Sequence, residues 1–86
     1  MTEQTQFGFE DLKRILVDRV GLPEDDVKDD PSLTFDEMGL DSLAFVEIQL
    51  AMEQEYGFVI SDEDAELIHT VGEAIAYVNR RLAEQD

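Results

Sequence analysis

Gly39-Leu40-Asp41-Ser42-Leu43 places a serine hydroxyl just after a glycine turn, beside an acid and at the start of a helix. Either Asp41 or Ser42 can cap that helix by accepting a backbone N–H. The hydroxyl reads as an attachment point. A small serine esterase is the competing chemistry, and it fails on spacing and inventory. The stretch reads G-L-D-S-L, no G-x-S-x-G occurs, and the sole imidazole, His69, falls in a short connection away from the serine's helix. His69 is more simply a packed or half-exposed residue ahead of a cap at Thr70. No catalytic residue is therefore assigned. No metal site is assigned either. Asp25 to Glu37 offers no frame with the early acids, middle glycine and final glutamate of a calcium loop, although loose divalent binding to so acidic a surface is plausible.

The rest of the chain limits what an attachment point could serve. At 86 residues it has room for one small domain, 1–86, whose ends read as frayed, and a deep enzyme pocket is not expected. A net charge of -16 argues against nucleic acid and anionic membranes as partners and favours basic proteins. With no cysteine there is no disulfide, no thiolate nucleophile and no cysteine-type zinc site. Any thiol must be borrowed. The first residues lack a signal peptide's basic and then apolar character, and no apolar run could span a bilayer, so a soluble, cytoplasmic, monomeric protein is expected.

Helices must position the serine. Phe9, Leu12, Ile15, Leu16 and Val20 recur at helical spacing, with Glu10 and Asp11 in the first turn and Gly21 just past the end. From Gly21 to Gly39 the periodicity breaks up among prolines and acids. Leu22, Val27, Leu33, Phe35 and Met38 nevertheless give this connection enough apolar residues to pack as an ordered loop. The second helix runs from Asp41 or Ser42 to near Gly57. A short third covers Asp62 to Ile68, capped by Ser61. Thr70 and Glu73 form a capping box for a fourth, in which Val71, Ile75, Val78 and Leu82 recur and Arg80 and Arg81 suit the last turns. An all-α, small four-helix bundle with one long crossover loop follows.

The second helix carries two apolar stripes. At 100° per residue, Ala44, Phe45, Ile48, Met52 and Tyr56 share one side, which suits a core face. Leu43, Val46 and Leu50 share the other side with Ser42, Glu47 and Glu53, as an apolar strip rimmed by charge does at a partner site. The alternative is a helix buried on both sides. No lysine or arginine occurs between Lys28 and Arg80, so the serine stands in a field of one sign. Such a field is either a solvated surface that keeps the protein soluble or a means of steering toward basic enzymes.

These residues, together with Val46-Glu47, Glu55-Tyr56-Gly57, Asp62-Glu63-Asp64-Ala65-Glu66 and Thr70-Val71-Gly72, resemble an acyl carrier protein over nearly the whole chain. The resemblance implies the acyl carrier type of four-helix bundle. It also implies that a phosphopantetheinyl transferase moves 4'-phosphopantetheine from coenzyme A onto Ser42, with Asp41 assisting recognition. That arm would supply the missing thiol and hold acyl groups as thioesters, while its phosphodiester would sit at a helix amino end, where N–H groups and the dipole favour it. Leu43, Val46, Glu47, Leu50 and Glu53 match positions that meet ketosynthases, malonyl transferases and tailoring enzymes with basic docking surfaces.

Some residues depart from the fatty acid synthase version of this pattern. Ala44 stands where an acid is usual, Ser61 where proline is usual, and Glu37-Met38-Gly39-Leu40 stands where Asp-Leu-Gly and a small residue usually precede the Asp-Ser pair. Asp41-Ser42-Leu43-Ala44 is more similar to discrete type II polyketide carriers, whereas Asp62 to Gly72 is more similar to fatty acid carriers. A polyketide carrier is the favoured reading, with primary fatty acid or aminoacyl carriers as alternatives. Gln49 stands at the edge of the core face where an apolar residue would be ordinary, and it could line the space beside an acyl chain. A small core under crowded carboxylates predicts a melting temperature that rises as ionic strength goes from about 0.01 M to about 0.15 M. An unchanged Tm across that range would contradict the electrostatic account.

Overall fold

A computed structural model describes residues 6–84, and the frayed ends expected of the chain lie largely outside them. Helix α1 (Phe9–Ile15) starts where the Asp11 carboxylate accepts the Gly8 N–H at 2.9 Å. It runs directly into a π-helical turn, Leu16–Val20, which helical spacing alone did not distinguish from α-helix. The amides of Gly21 and Leu22 both donate to the Leu16 carbonyl, at 3.0 Å each, and Gly21 reverses the chain at φ 92°. That conformation is open to glycine at little steric cost. Leu12, Ile15 and Leu16 are fully buried.

The long connection is ordered, as its apolar content predicts. Val27, Phe35 and Met38 are buried, while Leu22 and Leu33 pack half-buried against the core. One 3-10 turn, Glu24–Asp26, interrupts it. Its later part is tied to the segment before the last helix by main-chain hydrogen bonds. Phe35 N–H donates to the His69 carbonyl at 3.0 Å, Val71 N–H to Leu33 at 2.9 Å and Gly72 N–H to Pro31 at 2.9 Å. Thr34 and Thr70 form an antiparallel bridge at the centre of this pairing.

Helix α2 (Ser42–Tyr56) ends at Gly57, φ 79°. Its core side is close to the expected face. Ile48 and Met52 are buried, and Ala44, Phe45 and Tyr56 are half-buried. Ala51, at the edge of the predicted face beside Ala44, is also buried. Helix α3 (Asp62–Ala65) is shorter than the predicted Asp62 to Ile68. After Ala65 the chain tightens, with Leu67 N–H donating to Asp64 and Ile68 N–H to Ala65. Ile68 is thereby turned into the core and His69 is delivered to its pairing with Phe35. Helix α4 (Val71–Glu84) begins with the predicted capping box: Glu73 N–H donates to Thr70 Oγ1 at 3.1 Å, and Glu73 Oε1 accepts the Thr70 N–H at 3.2 Å.

Side-chain contacts close the bundle. Asn79 on α4 pairs with both backbone groups of Phe7, whose ring meets Tyr56 edge-on at 5.4 Å. Arg14 and Arg19 reach Glu55 at 3.3 and 3.6 Å, holding the first helical segment to the end of α2. The Arg14 guanidinium is accordingly held above its ordinary pKa, chiefly by the Glu55 charge.

The loop pairing leaves no space beside Gly72. A Cβ there would stand 2.9 Å from Pro31 Cβ and 3.0 Å from the Pro31 carbonyl oxygen. Gly72→Ala should therefore destabilise the protein by about 1–3 kcal/mol, the cost of overpacking, measured by urea unfolding. Wild-type stability in that variant would mean that the loop does not press on α4.

Candidate functional site

Ser42 is the first residue of α2, and Asp41 is its N-cap: Asp41 Oδ1 accepts the Ala44 N–H at 2.9 Å, and the Asp41 carbonyl accepts the Phe45 N–H at 3.0 Å. Of the two candidate caps, the acid takes the role. The Ser42 side chain is thereby left exposed and makes no hydrogen bond among the described residues. Gly39, at φ 85°, makes the turn that brings the chain into the helix, with the Leu40 N–H donating to Phe35. The serine is thus held by a cap below it and by the anchored loop behind it.

Beside Ser42 opens a cleft of about 730 Å³. Phe45, Val46 and Gln49 of α2 form one wall, Ala65 and Ile68 the other, and Phe35 and Leu40 line the side formed by the loop. Asp36, Asp41, Asp62 and Glu66 also line it. Gln49 therefore has its explanation as a wall residue rather than a core one. His69 corrects an expectation. It does not stand apart from the serine but is exposed and lines the same cleft, because the pairing of Phe35 with His69 folds that connection across it. Ser42 and the His69 ring nevertheless make no hydrogen bond to each other or to a carboxylate among the described residues, so no set of nucleophile, base and orienting acid is assembled.

The far wall is held by a cluster that helical spacing did not reveal. Tyr77 on α4 donates to Asp64 on α3 at 2.8 Å. Arg81 donates to Tyr77 Oη and, at 2.8 Å, to the Val59 carbonyl, while its guanidinium lies 4.9 Å from the centre of the Phe58 ring. Burial, with the Asp64 hydrogen bond as a further cause, raises the Tyr77 pKa. The hydroxyl stays a donor to Asp64 throughout the neutral range. Thus α3, only one turn long, is steadied by α4 rather than by its own length.

On the outer side of α2, Leu43 is 70% exposed, Val46 45% and Leu50 47%. Glu47 is exposed beside them. Glu53 differs from its neighbours in the expected partner face: it is half-buried, and its Oε2 accepts the Ile60 N–H at 2.8 Å. Leu67, just beyond α3, is 63% exposed and was not singled out by sequence. An i, i+3, i+4 stripe exposes a helical strip to sequence reading, whereas a lone leucine in a turn gives no such signal.

The family described as "Phosphopantetheine attachment site" matches residues 10–78. The chain belongs to the acyl carrier family. Carrier proteins of the actinorhodin polyketide synthase in Streptomyces coelicolor have similar structures. The 3,5-dioxohexyl form, a triketide mimic, is 34% identical with TM-score 0.81 over 98% of this chain and 100% of that one. The 3-oxo-butyl form is also 34% identical, with TM-score 0.80 over the same shares. The butyryl form, described as a non-polar, non-pathway intermediate, is 31% identical with TM-score 0.75 over 95% and 98%.

Members of this family carry 4'-phosphopantetheine, and the residues present fit that group. An accessible hydroxyl stands at the amino end of a helix of 15 residues, where N–H groups and the dipole favour a phosphodiester, and a partly apolar cleft opens beside it. Asp41→Ala should destabilise the fold by about 1 kcal/mol in urea unfolding, and Asp41→Asn, which retains the cap, by much less. Equal losses in the two variants would mean that the charge, not the cap, is what α2 requires.

Proposed function

We propose that Ser42 is the residue that carries the arm and that the protein delivers polyketide intermediates between enzymes. The observation that supports this most strongly is a free, exposed hydroxyl at the rim of a cleft lined by both apolar and polar groups. During modification the Ser42 oxygen gives up its proton and bonds to phosphorus. The pyrophosphate bridge of coenzyme A breaks as the nucleotide half leaves. The arm supplies a thiol that holds acyl groups as thioesters. Ser42 needs no base of its own, since the transferase provides one, and the chain itself is proposed to catalyse nothing.

Leu43, Val46, Glu47 and Leu50 form the proposed docking strip for the transferase and the polyketide enzymes. Exposed aliphatics fit an apolar patch and the surrounding carboxylates attract a basic rim. Asp41 contributes its charge next to the hydroxyl. Glu53 is a weaker member of the strip because its carboxylate serves Ile60. The likeness to polyketide carriers supports that cargo over a fatty acid or aminoacyl group. At a net charge of -16 copies of the chain repel one another, which supports a monomer, and the proposed compartment is the cytoplasm. Among the described residues no helix is long and apolar enough to cross a membrane.

Intact mass tests the assignment. Incubation with coenzyme A, magnesium and a broad-specificity phosphopantetheinyl transferase should add one phosphopantetheine to the unmodified wild type and none to Ser42→Ala. Subsequent incubation with malonyl-CoA and a malonyl transferase should add one malonyl group to the modified protein. Modification of Ser42→Ala, or none of the folded wild type, would contradict the attachment site, and failure of malonyl loading would contradict the cargo class.

A further inference from the structure

Gln49 stands seven residues after Ser42 in α2. Seven residues advance about 700°, nearly two full turns, and about 10 Å along the axis. Gln49 thus lies on the Ser42 face, two turns farther along the cleft wall. Its side chain is half-buried, lines the cleft and makes no hydrogen bond among the described residues. No side-chain nitrogen or oxygen among the described residues is buried without a partner, so the Gln49 amide still reaches the water of the cleft, and a chain that enters the cleft must displace that water and replace its hydrogen bonds. The neighbouring charges narrow what it can bind. Asp36, Asp41, Asp62 and Glu66 are acceptors only, so the cleft is rich in acceptors, whereas the Gln49 amide offers two donors on the α2 wall. A ligand that brings carbonyl oxygens finds its complement there, and one that brings only methylenes leaves the amide unsatisfied.

We propose that Gln49 is a specificity-determining residue, whose side-chain N–H groups donate to a ketone oxygen of the chain carried from Ser42 and thereby favour β-keto over saturated acyl groups inside the cleft. This rests on the Ser42 carrier reading, because only a chain tethered there is led along this wall. The role is one of positioning and selection, with no bond made or broken. His69 lines the same cleft and offers a second polar edge, but it comes from the loop side rather than from the α2 face shared with Ser42.

Acetoacetyl and butyryl groups isolate the effect, since both have four carbons and they differ at one carbonyl. Each is loaded onto wild type, Gln49→Leu and Gln49→Glu, with loading verified by intact mass. The last variant keeps the shape of glutamine and removes its donors. Backbone amide chemical shifts of Ala65 and Ile68 in all three proteins, and the Gln49 side-chain amide in the wild type, then report whether the chain is inside the cleft. Both substitutions should lower the inside-to-outside ratio of acetoacetyl about five-fold, the effect of one hydrogen bond. Gln49→Leu should leave the butyryl ratio unchanged or raise it. An acetoacetyl ratio unmoved by both substitutions, or an equal fall for the two chains, overturns the proposal. It is also overturned if the arm without cargo shifts the Gln49 side-chain signals as far as acetoacetyl does, since the carbonyl would then be the arm's own. A variant with altered shifts throughout the core is misfolded, and the other substitution then decides. If no chain loads onto Ser42, the mass spectrum shows it and the carrier reading fails instead.

Discussion

The pairing of Pro31 to Phe35 with His69 to Gly72 is the constraint on which the site depends. Three main-chain hydrogen bonds and the Thr34–Thr70 bridge join a loop to the entry of α4 across more than thirty residues of chain. Loop backbone buried without partners would be destabilising, and this pairing satisfies it while bringing Phe35 and Met38 into the core. Phe35 in turn accepts the Leu40 N–H just ahead of the α2 cap. The same segment therefore sets the entry angle of α2 and places His69 across the cleft.

From that anchor the chemistry follows by division of labour. Asp41 satisfies the helix, which leaves Ser42 unconstrained by local hydrogen bonds and accessible to an enzyme. Two sides of α2 then serve different purposes. Ile48, Ala51 and Met52 fix it in the core, while Leu43, Val46 and Leu50 remain exposed. Val46 belongs to both, exposed on the outer side and lining the cleft. The opposite wall rests on a short helix steadied through Tyr77 and Arg81. An element of one turn gains little from its own hydrogen bonds, so α3 is the wall most easily displaced.

Local rules were legible in the sequence where local chemistry decides. Ser61, Thr70 and Glu73 cap as their spacing predicts, and Gly21 and Gly57 end their helices with positive φ. The apolar content of the long loop was sufficient to predict its order. What periodicity could not supply were the contacts between distant segments. Sequence spacing sets His69 apart from Ser42, because the loop pairing that unites them leaves no short-range pattern. Acids and apolar residues continue to Ile68 and predict a longer third helix, whereas tertiary packing turns Ile68 inward after Ala65. The π turn at Leu16–Val20 was invisible for a related reason, since one extra residue in a turn scarcely alters an apolar stripe. Gln49 was visible as a break in pattern, and only the cleft explains it.

Native-state hydrogen exchange at the Phe35, Val71 and Gly72 amides tests the central claim most directly, because these donors make the pairing that holds the site. If the loop anchors the cleft, they exchange as slowly as the buried Val78 amide of α4, through global unfolding. Exchange at the rate of unstructured peptide, with Val78 still protected, would mean that the loop opens freely and that the cleft beside Ser42 has no fixed wall.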